Sequence, residues 1–213
     1  MPHSVFLLED HPVMREGYRS LIDAEPELTV CGEAATAEEA MGKLHDLDPS
    51  VVVVDLSLPG TNGVEFIKRL HALTPDVPIL VVTAHEEDLY AERALRAGAR
   101  GYLMKAGSSK RFVEAIRTVL RGGLFLTDEL QSRLLEQQLD GGDVRGMDRL
   151  SDREIEVFEH FGRGKRTVEV AEALGLSVKT IESHRANIKK KLGLSNSAEF
   201  TKRAVLWVES PMQ

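Results

Sequence analysis

A chain of 213 residues, 42% of them hydrophobic, has room for two domains with ordinary apolar cores. Its one cysteine, Cys31, lies in an apolar stretch, which excludes an internal disulfide or a cysteine metal cage and suits a core position in a reducing compartment. No apolar run approaches a membrane span, and the first residues lack the basic and apolar segments of a signal peptide, so a soluble, cytoplasmic protein with no membrane partner is expected.

The net charge of −7 is unevenly spread. By count, residues 1–125 carry −6, residues 126–147 carry −3 and residues 148–213 carry +2. Such asymmetry points to two jobs in one chain.

In chain order, the first part alternates short apolar runs with amphipathic stretches. Strands are expected at Val5–Leu8, Leu28–Gly32, Val51–Val54, Ile79–Thr83 and Gly101–Met104. Helices are expected at Val13–Ile22, Ala37–Leu47, Gly63–Leu73, Leu89–Ala97 and Arg111–Leu120. Four consecutive β-branched residues, Val51 to Val54, suit a central strand covered on both faces. Strand–helix units in this alternation imply an α/β doubly wound parallel five-stranded sheet over residues 1–121. Gly122-Gly123 close the unit, and Thr127 can cap a helix from Asp128 to about Gln138. Asp140-Gly141-Gly142-Asp143 break that helix, so residues 122–147 read as a linker. Beyond it strand signals vanish. Ser151 and Glu154 form a capping box for a helix to about Phe161, ended by Gly162 and Gly164. Helices at about Val168–Leu174, Val178–Leu192 and from Ser197 to about Val208 complete a small all-α domain over residues 148–213.

Polar groups stand at four strand ends of the first domain: Glu9-Asp10, Asp55, Thr83-Ala84 and Lys105. In a doubly wound sheet these ends converge on one crevice. Carboxylates packed there repel one another, and a hard divalent cation such as Mg²⁺ relieves that repulsion and draws in a phosphoryl group. Asp55 then serves as nucleophile towards phosphorus, Lys105 supplies a second cation, Thr83 donates a hydrogen bond and Ala84 keeps the approach open. Each residue alone has a bland account as a helix cap, a solvated lysine or a strand-end threonine. Their joint placement favours the site.

The runs Glu9-Asp10-His11-Pro12, Asp55-Leu56-Ser57-Leu58-Pro59-Gly60, Gly63, Thr83-Ala84, Gly98-Ala99 and Gly101-Tyr102-Leu103-Met104-Lys105 resemble the receiver domain of two-component response regulators, which has a flavodoxin-like fold. The resemblance implies that Asp55 is the phosphoacceptor and that Glu9, Asp10, Asp55 and the Ser57 backbone carbonyl hold Mg²⁺. It also implies that Thr83 and Tyr102 are a switch pair and that a sensor histidine kinase is the phosphodonor. Two positions depart from the common pattern. Glu9 replaces an aspartate and adds a methylene to a metal-facing carboxylate. Ala106 follows Lys105 where proline is usual, removing the reason for a cis bond.

In the tail, the helix Val178–Leu192 carries five basic residues against one acid. At 100° per residue Val178, Ile181, Ile188 and Leu192 share a face with the stem of Arg185. Lys179, Ser183, Ala186, Asn187 and Lys190 occupy the opposite face, flanked by Glu182 and Lys189 on one side and Thr180, His184 and Lys191 on the other. A basic helix with small residues in mid-face, placed after a helix and a Gly175 turn, suits a recognition helix in a DNA groove. Lys179, Thr180, Glu182, Ser183, His184, Asn187 and Lys190 are the candidate contacts, with Glu182 able to accept from cytosine. Leu150-Ser151-Asp152-Arg153-Glu154, Val170-Ala171, Leu174-Gly175-Leu176-Ser177, Lys179-Thr180-Ile181, His184 and Lys191-Leu192-Gly193 resemble the LuxR-type helix-turn-helix domain.

Together these imply a response regulator of the NarL/FixJ type, not an enzyme. It accepts a phosphoryl group on Asp55 and reads double-stranded DNA as a homodimer when phosphorylated. Phe200, Val205 and Trp207 are candidates for the dimer contact, with packing inside their own domain as the equal alternative. A dinucleotide-binding enzyme would need a glycine-rich turn after the first strand, where Glu9-Asp10-His11-Pro12 stands instead. A receiver that dimerises without phosphate is the second alternative, and Glu9 is its hint.

Overall fold

The computed structural model describes residues 2–84, 87–106, 108–132 and 149–209. The chain divides into two compact units, Met1–Leu135 and Glu136–Gln213.

In the first unit five strands, β1 His3–Leu8, β2 Leu28–Ala34, β3 Val51–Val54, β4 Ile79–Thr83 and β5 Gly101–Met104, pair in parallel in the order β2-β1-β3-β4-β5. Helices α1 Pro12–Asp23, α2 Ala37–Leu44, α3 Gly63–Leu73, α4 Glu87–Ala97 and α5 Ser109–Leu120 supply the crossovers. The expected doubly wound sheet is present. All four valines of β3 are buried, as cover on both faces requires. One apolar layer joins α1 and α5 to the sheet through Leu7, Ile22, Val53, Val82, Phe112 and Ile116.

Helix α2 stops at Leu44, three residues short of the expected Leu47. The chain turns there towards Pro49, with Asp46 N–H donating to the Lys43 carbonyl at 3.2 Å. From the loop, Leu47 packs on β2 at Gly32, where a Cβ would lie 2.7 Å from Leu47 Cδ1. Strand β2 runs two residues beyond the expected Gly32, and its register with β1 shifts between Val5 and Phe6. Past Gly122-Gly123 the chain still belongs to the sheet. Phe125 bridges Gly101, and its carbonyl accepts from Tyr102 N–H at 2.9 Å. Residues 128–132 are helical, with the Thr127 hydroxyl accepting from Leu130 N–H at 3.2 Å. The rest of the expected linker helix and the Asp140–Asp143 break lie outside the described residues.

The second unit holds α6 Asp152–Gly162, α7 Thr167–Ala173, α8 Val178–Leu192 and α9 Ser197–Glu209. The Ser151–Glu154 capping box opens α6. Gly162 is the last residue of α6, and a side chain there would strike the Ala204 carbonyl of α9. The core centres on Phe158, Phe161 and Phe200, whose rings meet edge to face at 5.3 Å. Phe200 is fully buried in this core, so it is not free for a dimer contact. Val205 and Trp207 are half-buried, while Leu206 is exposed. Among the described residues, no helix is long and apolar enough to cross a membrane.

Candidate functional site

Parallel pairing of β1 with β3 brings Leu8 beside Val54, and Asp55 N–H donates to the Leu8 carbonyl at 2.9 Å. Glu9-Asp10 and Asp55 therefore leave neighbouring strand ends at the point where the strand order reverses, the usual ligand crevice of such sheets. Asp55 is 1% exposed and Glu9 2%. The Asp55 Oδ1 accepts from Ser57 N–H at 3.1 Å, and Oδ2 accepts from Lys105 Nζ at 2.8 Å. Behind it, Asn62 caps α3 through Val64 N–H at 2.8 Å. Gly63 packs so closely that a Cβ would lie 2.5 Å from Leu56 Cα and 2.9 Å from the Asp55 carbonyl.

Lys105 bridges two carboxylates. Its Nζ donates to Glu9 Oε1 at 2.9 Å and to Asp55 Oδ2 at 2.8 Å. It also lies 2.8 Å from Glu9 Oε2, but off the hydrogen-bonding angle, so that this buried oxygen accepts no hydrogen bond. Burial raises the Glu9 carboxyl above its ordinary 4.5. The Lys105 hydrogen bond pulls it down, and the Asp55 charge pushes it up again. Burial works to lower the Lys105 ammonium, but the Asp55 and Glu9 charges and hydrogen bonds outweigh it and raise the group above 10.5. Asp10 and His11 stand at the open side. His11 Nδ1 lies 2.7 Å from Asp10 Oδ1 and 3.4 Å from Glu9 Oε1. Donor atoms of Glu9, Asp10, His11 and Asp55 all lie within 4.8 Å of one another.

Thr83 is fully buried at the end of β4, and its carbonyl accepts from Lys105 N–H at 2.8 Å. Ala84 is exposed beside it. Tyr102 is 1% exposed, its ring held inward on β5. The structure thus gathers Glu9, Asp10, Asp55 and Lys105 at one crevice, with Thr83 on the adjoining strand end. Three contributors escaped the sequence reading. Arg15 Nη1 donates to the Glu9 carbonyl at 2.6 Å and steadies that loop. His11 joins the carboxylates. Tyr18, stacked on Phe112 at 4.6 Å, is buried, and its hydroxyl has no hydrogen-bond partner. Burial foremost, and then the Glu9 and Asp55 charges, push its phenol up. Apolar burial in a helix hides such a group from a reading of charge patterns.

In the second unit, Ser177 caps α8 by accepting from Thr180 N–H at 3.1 Å, and Gly193 ends it with φ +67°. Lys179, Glu182, Ser183, Ala186, Asn187 and Lys190 are exposed along one face. Thr180 and His184 are half-covered instead. The Thr180 hydroxyl lies 2.7 Å from that of Ser177. Burial and the Arg153 charge lower the His184 imidazole, with the Glu154 charge opposing. Glu182 accepts from the Thr167 hydroxyl at 3.2 Å, which ties α7 to the exposed face of α8. On the inner face Ile181 and Ile188 are fully buried, but Val178 is 45% exposed because the first turn projects past the core. The Arg185 guanidinium stands 5.2 Å from the ring centres of both Phe161 and Phe200. Lys191 Nζ reaches the buried Glu154 at 2.6 Å, fixing the far end of α8 to the start of α6.

Residues 5–117 match the family described as the response regulator receiver domain, and residues 148–204 match the luxR family of bacterial regulatory proteins. The transcriptional regulatory protein UhpA of Escherichia coli is 34% identical over 94% of this chain and 96% of its own length. The transcriptional regulatory protein LnrK of Bacillus subtilis is 32% identical over 92% and 93%. Among solved structures, RcsB from Salmonella enterica serovar Typhimurium, bound to the rprA promoter with the phosphomimetic BeF3⁻, superposes with a TM-score of 0.64. It shares 29% identity over 96% of this chain and 99% of that one. A parallel receiver sheet with its acidic crevice, followed by a helical unit with a basic exposed helix, agrees with both matches. The chain belongs to the two-component response regulators with a LuxR-type helix-turn-helix domain, a family of transcriptional regulators and not of enzymes.

Proposed function

We propose that this protein is a phosphorylation-controlled regulator of transcription, in which a histidine kinase phosphorylates Asp55 and the modified chain binds DNA as a homodimer in the cytoplasm. The observation that carries the reading is the buried Asp55 carboxylate, held between Ser57 N–H and the Lys105 ammonium at the mouth of the sheet. One Asp55 oxygen attacks phosphorus, the P–N bond of a phosphohistidine breaks, and the imidazole leaves with the electron pair and takes up a proton. Lys105, already within bonding distance of Asp55, neutralises charge on the transferred group. The Asp10 side, open to solvent, is the route of approach. The Thr83 hydroxyl follows the phosphoryl oxygens, and Tyr102 packs behind it.

Mg²⁺ fits the site. The carboxylates of Glu9, Asp10 and Asp55 converge, and the buried Glu9 Oε2, 2.8 Å from the Lys105 ammonium, accepts no hydrogen bond. These three, with the Ser57 carbonyl, would hold the ion, and it would offset the negative charge that otherwise repels a phosphoryl group. Residues 1–121, joined by Phe125 where it pairs with β5, form the receiver, the residues from there to 147 the connection and 148–213 the output domain. On the exposed face of α8, Lys179 and Lys190 meet phosphates, while Glu182, Ser183 and Asn187 reach base edges. Thr180 and His184 contribute from the flank. The RcsB structures, which include dimers bound to DNA, support this arrangement.

Acetyl phosphate with Mg²⁺ tests the reading. The wild-type chain should gain one phosphoryl group by intact-mass measurement, and Asp55→Asn should gain none. Labelling retained in Asp55→Asn overturns the acceptor. A wild-type chain that stays unmodified, yet binds its DNA undiminished, would establish the phosphate-independent receiver in its place.

A further inference from the structure

We propose that Thr167 is a positioning residue for base readout: with the Arg185 guanidinium it holds one carboxylate oxygen of Glu182, so that the other oxygen is presented to the amino group of a cytosine in the major groove. The inference rests on the reading of α8 as the recognition helix and adds how one of its side chains is set before DNA arrives.

Glu182 is the single acid among five basic residues of α8. A glutamate left to itself there would move among its rotamers and lose that freedom on meeting a base. Instead Oε1 accepts from the Thr167 hydroxyl at 3.2 Å, and Arg185 Nη1 stands 3.9 Å from the same oxygen. Both partners are anchored. Thr167 is the first residue of α7, which buries Val170 and Ala171 one turn on. The Arg185 guanidinium is seated over the Phe161 and Phe200 rings of the core. A line of contacts therefore runs from those rings through Arg185 to Glu182, and Thr167 closes it from the neighbouring helix. Among the described residues Oε2 accepts no hydrogen bond, and the Glu182 side chain is 54% exposed. A carboxylate oxygen can only accept. In the major groove guanine and thymine oppose it with acceptors of their own. Adenine sets its amino group beside the N7 lone pair, whereas cytosine sets its amino group beside a C–H. A fixed Oε2 therefore selects cytosine. Since Thr167 carries no charge, its effect falls on base choice and not on phosphate attraction.

The test begins with duplexes selected from random DNA by the full-length wild type treated with acetyl phosphate and Mg²⁺. Glu182→Ala then identifies the base pair that Glu182 senses, and all four pairs at that position are compared in binding titrations. Wild type should prefer cytosine there about tenfold. Thr167→Val should cut that preference about threefold or more, and Thr167→Ser should restore it. The slope of affinity against salt should be the same in all of them, because no cation is removed. A cytosine preference that survives Thr167→Val, or a Thr167→Val that weakens all four duplexes alike, overturns the proposal. A selected site at which Glu182→Ala changes no base preference overturns it too and leaves the DNA-binding reading standing. A wild type that selects no sequence defeats that reading and this proposal with it.

Discussion

Replacing Lys105 with methionine keeps the apolar stem and removes the cation that bridges Glu9 and Asp55. Breaking a buried ion pair from one side typically costs about 3–5 kcal/mol, because the remaining charges stay buried without a partner. Here the loss has a ceiling, since Glu9 can take up a proton. A carboxyl with an ordinary pKa of 4.5 requires about 1.4 kcal/mol per pH unit above that value to be protonated, or about 3.4 kcal/mol near pH 7. Near pH 5 the same ceiling falls below about 1 kcal/mol. The sign follows from the direction of the shift. Glu9 is raised in the folded protein, so its stability contribution is present below 4.5 and is lost as pH rises through the folded value. Lys105→Met raises Glu9 further, so the gap between variant and wild type widens with pH between their two folded values. The expected destabilisation of the receiver unit is therefore about 3 kcal/mol near pH 7 and much smaller near pH 5. Peptide-resolved hydrogen exchange over β1, β3 and β5 in urea measures it. Trp207, the one tryptophan, lies in the other unit and gives a fluorescence control that should not move. A loss under about 1 kcal/mol at neutral pH, or one that is the same at both pH values, would refute the account of Lys105 as the counter-ion.

Three further perturbations probe the rest of the chain. Lys179→Ala with Lys190→Ala should weaken DNA binding and flatten its logarithmic salt dependence by about 0.9 for each phosphate no longer neutralised; an unchanged slope in binding titrations rules those two lysines out. Gly63→Ala should destabilise the receiver by about 1–3 kcal/mol and slow acetyl phosphate labelling, because its Cβ would displace the backbone around Asp55; normal melting and normal labelling would contradict the packing. In the output unit, burial works to raise the Glu154 carboxyl, but hydrogen bonds from Lys191 and Ser151 outweigh it and hold it below 4.5. Its stability contribution is thus present above 4.5 and lost as pH falls through the folded value, so acid should lower the urea midpoint of Trp207 fluorescence more in wild type than in Glu154→Gln. Parallel acid dependence in the two proteins would show that this carboxylate does not carry the effect.

The first unit was legible because its signals are short-range. Val51 to Val54 can only be a strand covered on both sides, and once five such runs alternate with helices the topology is nearly forced. Strand ends then place Glu9, Asp10, Asp55, Thr83 and Lys105 without any knowledge of side-chain packing. What stayed hidden was the pairing within the crevice. Lys105 lies 96 residues from Glu9 and 50 from Asp55, and nothing local in the chain says that one ammonium serves both. A histidine before a helix-opening proline has no periodic signature, so nothing local marks His11 as a neighbour of the carboxylates.

The second unit illustrates the opposite difficulty. Asp152, Glu154, Glu156 and Glu159 are charged, yet all four are buried in α6. Helical periodicity assigns charges to solvent on the assumption that one side of the helix is free. Packing against α7, α8 and α9 covers α6 on several sides, and two of its acids meet cations there, Glu154 with Lys191 of α8 and Glu156 with Arg153 of α6 itself, each at 2.6 Å. Arg185 follows the same logic. Its stem was expected on the apolar face of α8, and its charge stands over two aromatic rings. Ile181, Arg185 and Ile188 hold the inner side of α8 and Lys191 its far end, leaving Lys179, Glu182, Ser183, Asn187 and Lys190 uncovered. A recognition surface needs that fixed presentation before its individual side chains can discriminate one sequence from another.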